Sequence, residues 1–400
     1  IAMKLAIHFS LLLIVLQAHN GHGDKDPLQE KLASSIADFA FKFSRQVASL
    51  QGGKNIFFSP LSISMAFSMI GMGAKSNTQN QIYEGLGLTS IDTSKVHKEF
   101  EQLIQMLNSP GAKMDIGNAM WIKQSHQILP KFSEDVKSLY KTESFNFEQS
   151  SEAAEQINDY VAKKTHGKIT KAVEGLDPKT IMVLVNYIYF KDDWKYPFNP
   201  KLTHKNFFFI DERQTVKVDM MKNTEHYRYF HDEALSCWVV ELPHKGGAAA
   251  WFILPDEGKL KEVEDAMGEE TLSKWRRSLK RGKEIDLFLP KFSMSASYNL
   301  NNVLSRLGIT DVFSGNADLS GITGSSDLTI TKATHEAVLD IHEEGSEAAA
   351  VTTAQIGFKS LGPPSVPIEL IFDKPFFLTI LAPNDGPMLF FGKVVNPARK

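Results

Sequence analysis

The sequence predicts one large α+β domain, because helical patterns fill its first half and strand patterns dominate its second. Of its 400 residues, 42% are hydrophobic and 23% are charged, a balance typical of a soluble globular protein with a large core. No Pro/Ser-rich linker, block of like charges or internal repeat divides the chain. Residues 24–400 are therefore expected to fold as a single domain.

The predicted helices begin at recognisable start signals. Asp26 followed by Pro27 is typical of a helix start, and apolar residues then recur every three or four positions as far as Val47. Ser59 and Pro60 open a second helix, so apolar that it should be buried. Further helices are expected around 93–107, 130–140 and 151–164, with two short ones after residue 255.

Strand patterns are clearest where apolar residues occupy both faces. Residues 180–190, TIMVLVNYIYF, predict a central strand of a sheet, and DIGNAMWIK at 115–123 predicts another strand. Strands should dominate 207–255. The aromatic and aliphatic runs at 367–383 and 387–397 are bounded by prolines and predict buried strands near the end of the chain.

The first residues have the three parts of a secretory signal. Lys4 precedes an apolar run at 5–16, and small residues follow at Ala18, Gly21 and Gly23. Residues 1–23 are predicted to be a signal peptide cleaved between 18 and 24, and the protein is expected to be extracellular. The alternatives are an uncleaved anchor and a buried first helix, although the apolar run is short for a bilayer. The net charge of −3 gives no hint of nucleic acid.

Motifs of enzymes are largely missing. The sequence contains no G-x-S-x-G, H-E-x-x-H or C-x-x-C pattern. Cys237, the single cysteine, stands beside Trp238 in an alternating strand and is expected to be a half-buried thiol rather than a nucleophile. His335 and His342 are seven residues apart, which places them on opposite faces of a strand and does not suit a shared metal. A catalytic triad, whose members need not be adjacent in sequence, stays open but has no positive support.

Residues 345–359, GSEAAAVTTAQIGFK, have the pattern of a strand in a place where a loop is expected. From Ser346 onward every second side chain is small or apolar, while Glu347 and Lys359 belong to the other set. No proline interrupts the segment, so every backbone N–H could join a sheet. A linker or a stray helix is the alternative. A long insertion between core strands is uncommon unless it is functional.

Eight segments, in order from about residue 28 to the end, together resemble the serpins, in particular their antitrypsin-like secreted branch. They are NIFFSPLSISMAFSM from Asn55, GAKSNTQNQI from Gly73, LVNYIYFKDDWKYPF from Leu184, FILPDEGKL from Phe252, LPKFSMSASYNL from Leu289, KATHEAVLDIHEEGSEAAA from Lys332, FDKPFFLTIL from Phe372 and FGKVVNP from Phe391. The resemblance implies the serpin fold, an α+β architecture of three β-sheets surrounded by about nine helices. It also implies an exposed reactive-centre loop at about 345–367.

The same resemblance implies a suicide inhibitor of serine proteases. A target protease would attack the loop and form an acyl-enzyme, and the segment after Gly345 would then enter the central sheet as an added strand. The family's usual spacing from Gly345 predicts cleavage between Lys359 and Ser360, which implies a protease of trypsin-like specificity. A shift of one residue, to Phe358, would imply a chymotrypsin-like target. The segment 360–375 is longer than in antitrypsin, which leaves the register open.

The resemblance also assigns individual residues to the insertion step. The hinge that enters the sheet first comprises Glu343, Gly345, Ser346, Glu347, Ala348, Ala349 and Ala350, most of them small enough to pass between strands. Control of sheet opening is assigned to Ser59, Ser62, Asn186, Trp194, Lys291 and His335, with Lys291 expected to pair with Glu343. Each of these residues could instead have a purely structural role.

Basic residues concentrate in SKWRRSLKRGK, at 273–283. Lys274, Arg277 and Arg281 follow helical spacing, and Arg276 and Lys280 widen that face. A solvated helix face is the ordinary interpretation. The stretch also resembles the heparin-binding helix of some serpins, so heparin or another glycosaminoglycan is expected as a modulator, and no other cofactor is.

Two functions therefore remain open at this point. The first is a secreted, monomeric inhibitor that forms a covalent complex with a trypsin-like serine protease and binds neither nucleic acid nor membrane. The second is a non-inhibitory serpin that carries a small hydrophobic ligand such as a hormone. The small side chains of the hinge favour the inhibitor, because a charge or a proline there would resist insertion.

Overall fold

The computed structural model describes residues 26–108, 114–345 and 366–399. Within these residues the chain forms ten α-helices and sixteen strands. The helices are α1 Pro27–Leu50, α2 Pro60–Gly73, α3 Ser76–Gly85, α4 Thr93–Leu107, α5 Pro130–Tyr140, α6 Ser150–Lys164, α7 Leu260–Ala266, α8 Glu269–Ser278, α9 Leu300–Ser305 and α10 Ser320–Thr323. About nine helices were expected, and α10 is a single turn of four residues.

The strands form three sheets. They are β1 Ile56–Phe58, β2 Met114–Lys123, β3 Glu143–Phe147, β4 Met182–Phe190, β5 His204–Phe209, β6 Thr215–Glu225, β7 Arg228–Asp232, β8 Cys237–Pro243, β9 Ala249–Pro255, β10 Lys280–Arg281, β11 Ile285–Pro290, β12 Phe292–Asn299, β13 Ile330–Ile341, β14 Ile368–Ile371, β15 Phe376–Leu381 and β16 Met388–Val394. The five-stranded sheet has the order β12-β13-β4-β2-β3, and we call it the central sheet. A seven-stranded sheet has the order β1-β16-β15-β9-β8-β7-β10, and a four-stranded sheet has the order β14-β11-β6-β5.

The predicted helix starts are confirmed by their caps. The Asp26 carboxylate accepts a hydrogen bond from the Leu28 N–H at 2.9 Å, and the Ser59 hydroxyl accepts one from the Ser62 N–H at 3.1 Å. Each cap satisfies one backbone donor that the first turn of a helix leaves free. The second helix, α2, is buried along nearly its whole length, as its composition predicts.

The prediction of a central strand at 180–190 is also confirmed. All nine residues of β4 are buried, and β4 lies between β13 and β2. The inner face of the central sheet packs on the main core, which includes α2. Its outer face, including Trp121, Val185 and Val338, packs under α6 and the chain that follows it. Strands of this sheet are therefore apolar on both faces because both faces are covered.

Three local predictions need correction. Helix α3 and the edge strand β3 have no strong apolar periodicity and were not predicted. The run at 367–383 was expected to be buried throughout, but β14 is only partly buried because it is an edge strand of the four-stranded sheet. Cys237 was expected to be half-buried, but it is fully buried, and burial raises the pKa of its thiol to about 12. Such a thiol is not a nucleophile at neutral pH.

The expected signal peptide, residues 1–23, lies outside the described residues and stays a prediction, as does the extent of the domain. Over the described parts of the chain, no helix has both the length and the apolar character needed to cross a bilayer.

Candidate functional site

Two neighbouring strands of the central sheet, β13 and β4, run parallel and pair directly with each other. The register places Ile330 opposite Met182 and Val338 opposite Tyr189. Because the strands are parallel, their carboxyl ends lie at the same edge of the sheet. There the chain that follows β4, residues 191–194, meets the chain that follows β13, residues 342–345. We call these two segments together the gate.

Backbone hydrogen bonds hold the gate closed. The Trp194 N–H donates to the Glu344 carbonyl at 2.8 Å, and Asp193 forms an antiparallel bridge with Gly345. The indole Nε1–H of Trp194 donates to the His342 carbonyl at 2.9 Å. If β13 and β4 separate, all of these bonds must break.

Gly345 is needed for this close approach. A Cβ atom at position 345 would lie 2.3 Å from the Asp192 carbonyl oxygen and 2.4 Å from the Asp193 Cα, and the backbone φ of Gly345 is +156°. Both contacts are far shorter than van der Waals distance, and both are with backbone atoms that have little freedom to move. The family resemblance assigns Gly345 to the hinge because it is small, and the structure adds that the missing side chain leaves room for the opposite segment of the gate.

Lys291 and Glu343, expected to pair, are in contact. Lys291 Nζ lies 2.9 Å from Glu343 Oε2, and the Thr203 hydroxyl donates to Oε1 at 2.9 Å. Partial burial would raise the pKa of Glu343, but the hydrogen bonds from Lys291 and Thr203 outweigh it and hold the pKa below its ordinary value. The Glu343 carbonyl also accepts the Phe198 N–H at 2.7 Å. The ion pair thus anchors the end of β13 to β12 and to the chain before β5.

The polar residues assigned to sheet opening meet below the gate, on the inner face of the central sheet. The Asn186 side-chain amide donates to the Ser62 hydroxyl at 2.5 Å and to the Ser62 carbonyl at 3.1 Å. It also donates to Asn118 Oδ1 at 2.8 Å. Asn118 lies on β2 and was not predicted, because nothing in the local sequence indicates which distant strand will face Asn186.

His335 links this cluster to the start of α2. Its Nε2 accepts the Ser59 backbone N–H at 2.9 Å, so the ring proton must be on Nδ1, which lies 2.5 Å from Asn186 Oδ1 and donates to it. Burial lowers the pKa of His335 to about 3, and the ring is therefore neutral. We call the line along which β13 pairs with β4 the seam. Since Asn186 belongs to β4 and His335 to β13, this hydrogen bond also crosses the seam.

Trp194 packs on a residue that sequence reasoning missed. Its ring stacks on the imidazole of His244 with centroids 4.3 Å apart, and the two residues form an isolated backbone bridge. Burial lowers the pKa of His244 to about 3, which keeps the ring neutral. Trp194 therefore connects the gate to the end of β8.

The outer face of the central sheet contains a third unpredicted residue, Glu336, on β13. Its side chain is fully buried, with one carboxylate oxygen accepting from the Ser297 hydroxyl at 2.8 Å and the other without a partner among the described residues. Burial raises the pKa of Glu336 to about 8. The signal was visible in the sequence as a glutamate inside a run expected to be a strand of the core.

An ion pair joins the chain between α6 and β4 to the outer face of β13. Lys168 Nζ lies 2.6 Å from Asp340 Oδ2, and the Ser293 hydroxyl donates to the other oxygen of Asp340. Lys168 precedes β4 in the chain, whereas Asp340 belongs to β13. We call this contact the tether, because it connects the two sides of the seam from outside.

The prediction of one continuous basic helix face at 273–283 is wrong in part. Helix α8 ends at Ser278, so Lys280 and Arg281 belong to β10 and do not continue the helical spacing. Lys274 is held by Asp232, with Nζ 2.8 Å from each carboxylate oxygen, and Arg276 is half-buried. The exposed cations are Arg277, Lys280, Arg281 and Lys283, grouped around the end of α8.

The expected reactive bond lies outside the described residues. Lys359 and Ser360 belong to the segment 346–365, for which no structure is described, and so do Ser346, Glu347, Ala348, Ala349 and Ala350 of the hinge. The described chain stops at Gly345, four residues after the end of β13, and resumes at Val366, just before β14. In the described ranges, no three His, Cys, Asp or Glu side chains are grouped so as to hold a metal ion.

Comparisons with known proteins agree with this architecture. Residues 34–397 match the family model described as serpin, serine protease inhibitor. The chain is 46% identical to serine protease inhibitor A3M of Mus musculus over 376 residues, which is 92% of this chain and 89% of the mouse protein. It is 44% identical to alpha-1-antichymotrypsin of Pongo abelii over 375 residues, covering 92% of this chain and 88% of that protein.

Two solved structures also resemble this fold over most of the chain. Human thyroxine-binding globulin, crystallised with thyroxine, superposes with a TM-score of 0.87 at 42% identity, covering 92% of this chain and 99% of the globulin. Human glycosylated kallistatin superposes with a TM-score of 0.84 at 40% identity, covering 93% of this chain and 99% of kallistatin. Both the family model and the relatives therefore span nearly the whole fold described above, and the chain belongs to the serpin family of serine protease inhibitors.

Proposed function

We propose that this protein is a secreted inhibitor that traps a trypsin-like serine protease by inserting its reactive loop between β13 and β4. The observation that carries the proposal is the seam itself. The two strands pair directly, the chain leaves β13 through the gate, and the gate closes with bonds that a separating sheet can exchange for those of a new strand. Relatives that span the same fold are named as serine protease inhibitors, and the start of the chain has the pattern of a secretory signal.

The covalent step would proceed on the bond between Lys359 and Ser360. The hydroxyl oxygen of the protease serine attacks the Lys359 carbonyl carbon and the peptide bond breaks. The proton of that hydroxyl passes through the protease histidine to the new amine of Ser360, which leaves. An ester then joins Lys359 to the protease. The lysine ammonium would pair with a carboxylate at the base of the protease's primary pocket. Insertion has to move the protease before water hydrolyses the ester.

Insertion is favourable because it adds one strand that is hydrogen-bonded on both sides. A strand of ten or more residues gains roughly one net kcal/mol for each backbone hydrogen bond, on the order of 10 kcal/mol in total. Breaking the direct pairing of β13 with β4 is compensated by pairing each of them with the new strand. The uninserted form would therefore persist for kinetic reasons, with the gate and the polar cluster opposing separation.

The decisive experiment mixes the purified protein with trypsin and, separately, with chymotrypsin. A trypsin complex that survives boiling in SDS, with cleavage after Lys359 by mass spectrometry, is the expected result. The Lys359→Ala variant should lose the trypsin complex, and Lys359→Arg should retain it. Cleavage by trypsin without a stable complex would contradict inhibition, and a complex with chymotrypsin through Phe358 would shift the register by one residue.

Carriage of a small hydrophobic ligand is the second candidate. One observation favours it, the similarity over 92% of the chain to the thyroxine complex of thyroxine-binding globulin. Equilibrium dialysis with thyroxine tests this function independently of proteases. Saturable binding together with cleavage that traps no protease would replace the first proposal by the second.

A sulfated polysaccharide would act at the cations around the end of α8. Arg277, Lys280 and Arg281 are exposed, and a chain of sulfates could bind them and a protease at once. Heparin should then raise the rate of trypsin inhibition, with an effect that decreases at high salt. Arg277→Glu with Lys280→Glu should abolish the increase, whereas Lys95→Glu with Lys98→Glu on the exposed side of α4 should not.

A further inference from the structure

His342 is a buried histidine whose ring has no hydrogen bond to any residue that the structure describes. It follows β13 directly and belongs to the gate, and its side chain is 8% exposed. Neither Nδ1 nor Nε2 has a hydrogen-bond partner among the described residues. Its backbone, in contrast, is fully engaged, because the N–H donates to the Gly345 carbonyl at 3.1 Å and the carbonyl accepts from Trp194. The ring is therefore held in place by the gate without any polar contact of its own.

The groups around His342 oppose a positive charge on its ring. Burial is the main effect that lowers its pKa, and the ammonium of Lys291, at the start of β12, lowers it further. Asp340, Glu343 and Glu344 act in the opposite direction but do not reverse the shift. Asp340 and Glu343 are already paired with lysines, so their charges are partly neutralised. The closed gate therefore favours the neutral ring more strongly than water does.

Insertion changes the surroundings of this residue. A new strand between β13 and β4 moves the chain at 191–194 away from the chain at 342–345 by roughly 4.8 Å, the spacing of strands in a sheet. His342 then lies in the turn that joins β13 to the inserted strand, and turns lie at the surface. An imidazole in water has an ordinary pKa of about 6.5.

We propose that His342 makes opening of the gate depend on pH, so that mild acid speeds insertion of the reactive loop. The inference rests on the proposed function and concerns the regulation of the same seam. Protonation is disfavoured while the ring is buried and becomes favourable once the gate has opened. A proton therefore binds the open form more tightly, and acid shifts the equilibrium and the barrier towards opening.

Other titrating groups near the seam do not produce this effect. His335 has both ring nitrogens engaged in the polar cluster, and His244 is stacked behind Trp194 rather than within the segment that leaves the gate. Glu343 has a lowered pKa and stays ionised well below neutral pH. Glu336, with a pKa of about 8, is already largely protonated at pH 7.5 and below.

The test measures how fast the intact, full-length mature protein takes up a synthetic peptide with the sequence of residues 346–358. Uptake requires the same seam to open and is followed by native electrophoresis and mass spectrometry at pH 5.5, 6.5 and 7.5. For a group whose pKa is about 6.5 in the open gate and lower in the closed one, the rate should rise from pH 7.5 to pH 5.5, by at most about tenfold.

His342→Gln and His342→Asn, both uncharged and of similar polarity, should remove that rise. The control is His204→Gln, which changes an exposed histidine on β5 next to Thr203. Because this histidine lies outside the gate, the control should keep the rise of the uptake rate with acid. Thermal melting at pH 7.5 identifies variants that fold, and either His342 variant is sufficient.

The outcomes separate the inference from the proposed function. A wild-type rate that does not change with pH, or a rise retained in a folded His342 variant, would overturn the role of His342 while insertion itself stands. If neither variant folds, a wild-type rise with a midpoint near pH 6.5 supports the inference, and a flat profile or a midpoint far from that value overturns it. No uptake of the peptide at any pH would instead contradict insertion between β13 and β4.

Discussion

At the scale of single residues, the gate depends on a glycine, which has no side chain, and on several buried polar side chains. Gly345 lets two backbone segments touch, and Glu343 is satisfied from two sides by Lys291 and Thr203. Glu336, in contrast, has an oxygen with no partner among the described residues. Some residues of this seam thus stabilise the closed form, and at least one opposes it.

Substituting Gly345 by alanine should weaken the closed gate. The new Cβ would overlap the Asp192 carbonyl, and relief requires movement of the backbone, which costs about 1–3 kcal/mol. We expect a melting temperature several degrees lower and faster conversion to an inactive, inserted form, measured by calorimetry and by loss of trypsin inhibition over time. Gly315→Ala, where no atom lies within 4 Å of the new Cβ, is the matched control and should behave as wild type.

Substituting Glu336 by glutamine should make the protein more stable at alkaline pH. The pKa of Glu336 is raised from 4.5 to about 8, so its contribution to stability is fully present below pH 4.5 and is lost as the pH rises through about 8. Tyr187, opposite it on β4, has a raised pKa and stays neutral, while the hydrogen bond from Ser297 and the nearby Lys332 only partly offset the effect of burial on Glu336.

Glutamine imitates the neutral form and keeps the Ser297 hydrogen bond. The variant should therefore exceed wild type by up to about 4 kcal/mol at pH 9 in guanidinium unfolding, and the difference should shrink towards zero at pH 5. The exposed control Glu84→Gln should show no such trend. A difference that does not vary with pH would mean that Glu336 is not the titrating group.

At the scale of secondary structure, the seam has restraints on both faces. The polar cluster around Asn186 joins β4, β13 and α2 from inside, and the tether joins the chain before β4 to β13 from outside. Separation of the strands has to lengthen the tether, unless the chain between α6 and β4 moves with β13. Restraints of this kind slow a transition more than they stabilise either end state.

Removing the tether should speed insertion with little effect on stability. Lys168 is 39% exposed and Asp340 12% exposed, so the pair contributes on the order of 1 kcal/mol or less. Lys168→Ala should increase the rate of peptide uptake about two- to fivefold and change the melting temperature only slightly. Lys171→Ala removes a more exposed pair with Glu174 in the same stretch and should leave the rate unchanged. Equal rates for both variants would exclude a restraining role for Lys168.

At the scale of the whole molecule, the described fold is a large core around a central sheet of five strands, into which the proposed function would add one more. The main core includes the inner faces of all three sheets, and a second, smaller core lies under α6 on the outer face. Opening the seam leaves most of both cores in place, because only β13 and β4 need to part. The proposed insertion would therefore not require global unfolding.

Cleavage of the reactive loop should make the molecule more stable. Nicking within residues 346–359 by a catalytic amount of a metalloprotease, which forms no acyl-enzyme and so cannot be trapped, frees the segment to insert, and stabilisation on the order of 10 kcal/mol should raise the melting temperature by roughly 10 °C or more. Calorimetry of the intact and the nicked protein measures this shift. Protein incubated with the metalloprotease in the presence of a chelator, which prevents cleavage, is the control. A nicked protein that melts no higher than the intact one would rule out stored energy in the loop.

Much of the fold was predictable because its signals are local. The caps at Asp26 and Ser59, the apolar periodicity of the long helices and the doubly apolar β4 each depend on neighbours within a few residues. Helix α3 and strand β3 were missed because their residues are mostly polar, and packing against other elements determines their structure. The helical continuation to Arg281 was wrong because α8 ends at Ser278 and the chain joins β7 as β10.

The sequence by itself determined the family resemblance, the helix starts, the central strand and the unusual strand-like pattern of 345–359. Only the tertiary structure decided that Asn118 joins Asn186, that Lys168 reaches Asp340, and that His342 and Glu336 are buried without full hydrogen bonding. The physical reason is the distance along the sequence over which each kind of interaction acts. Periodicity and capping act between residues close in sequence, whereas burial and pairing across β13 and β4 join residues about 150 positions apart.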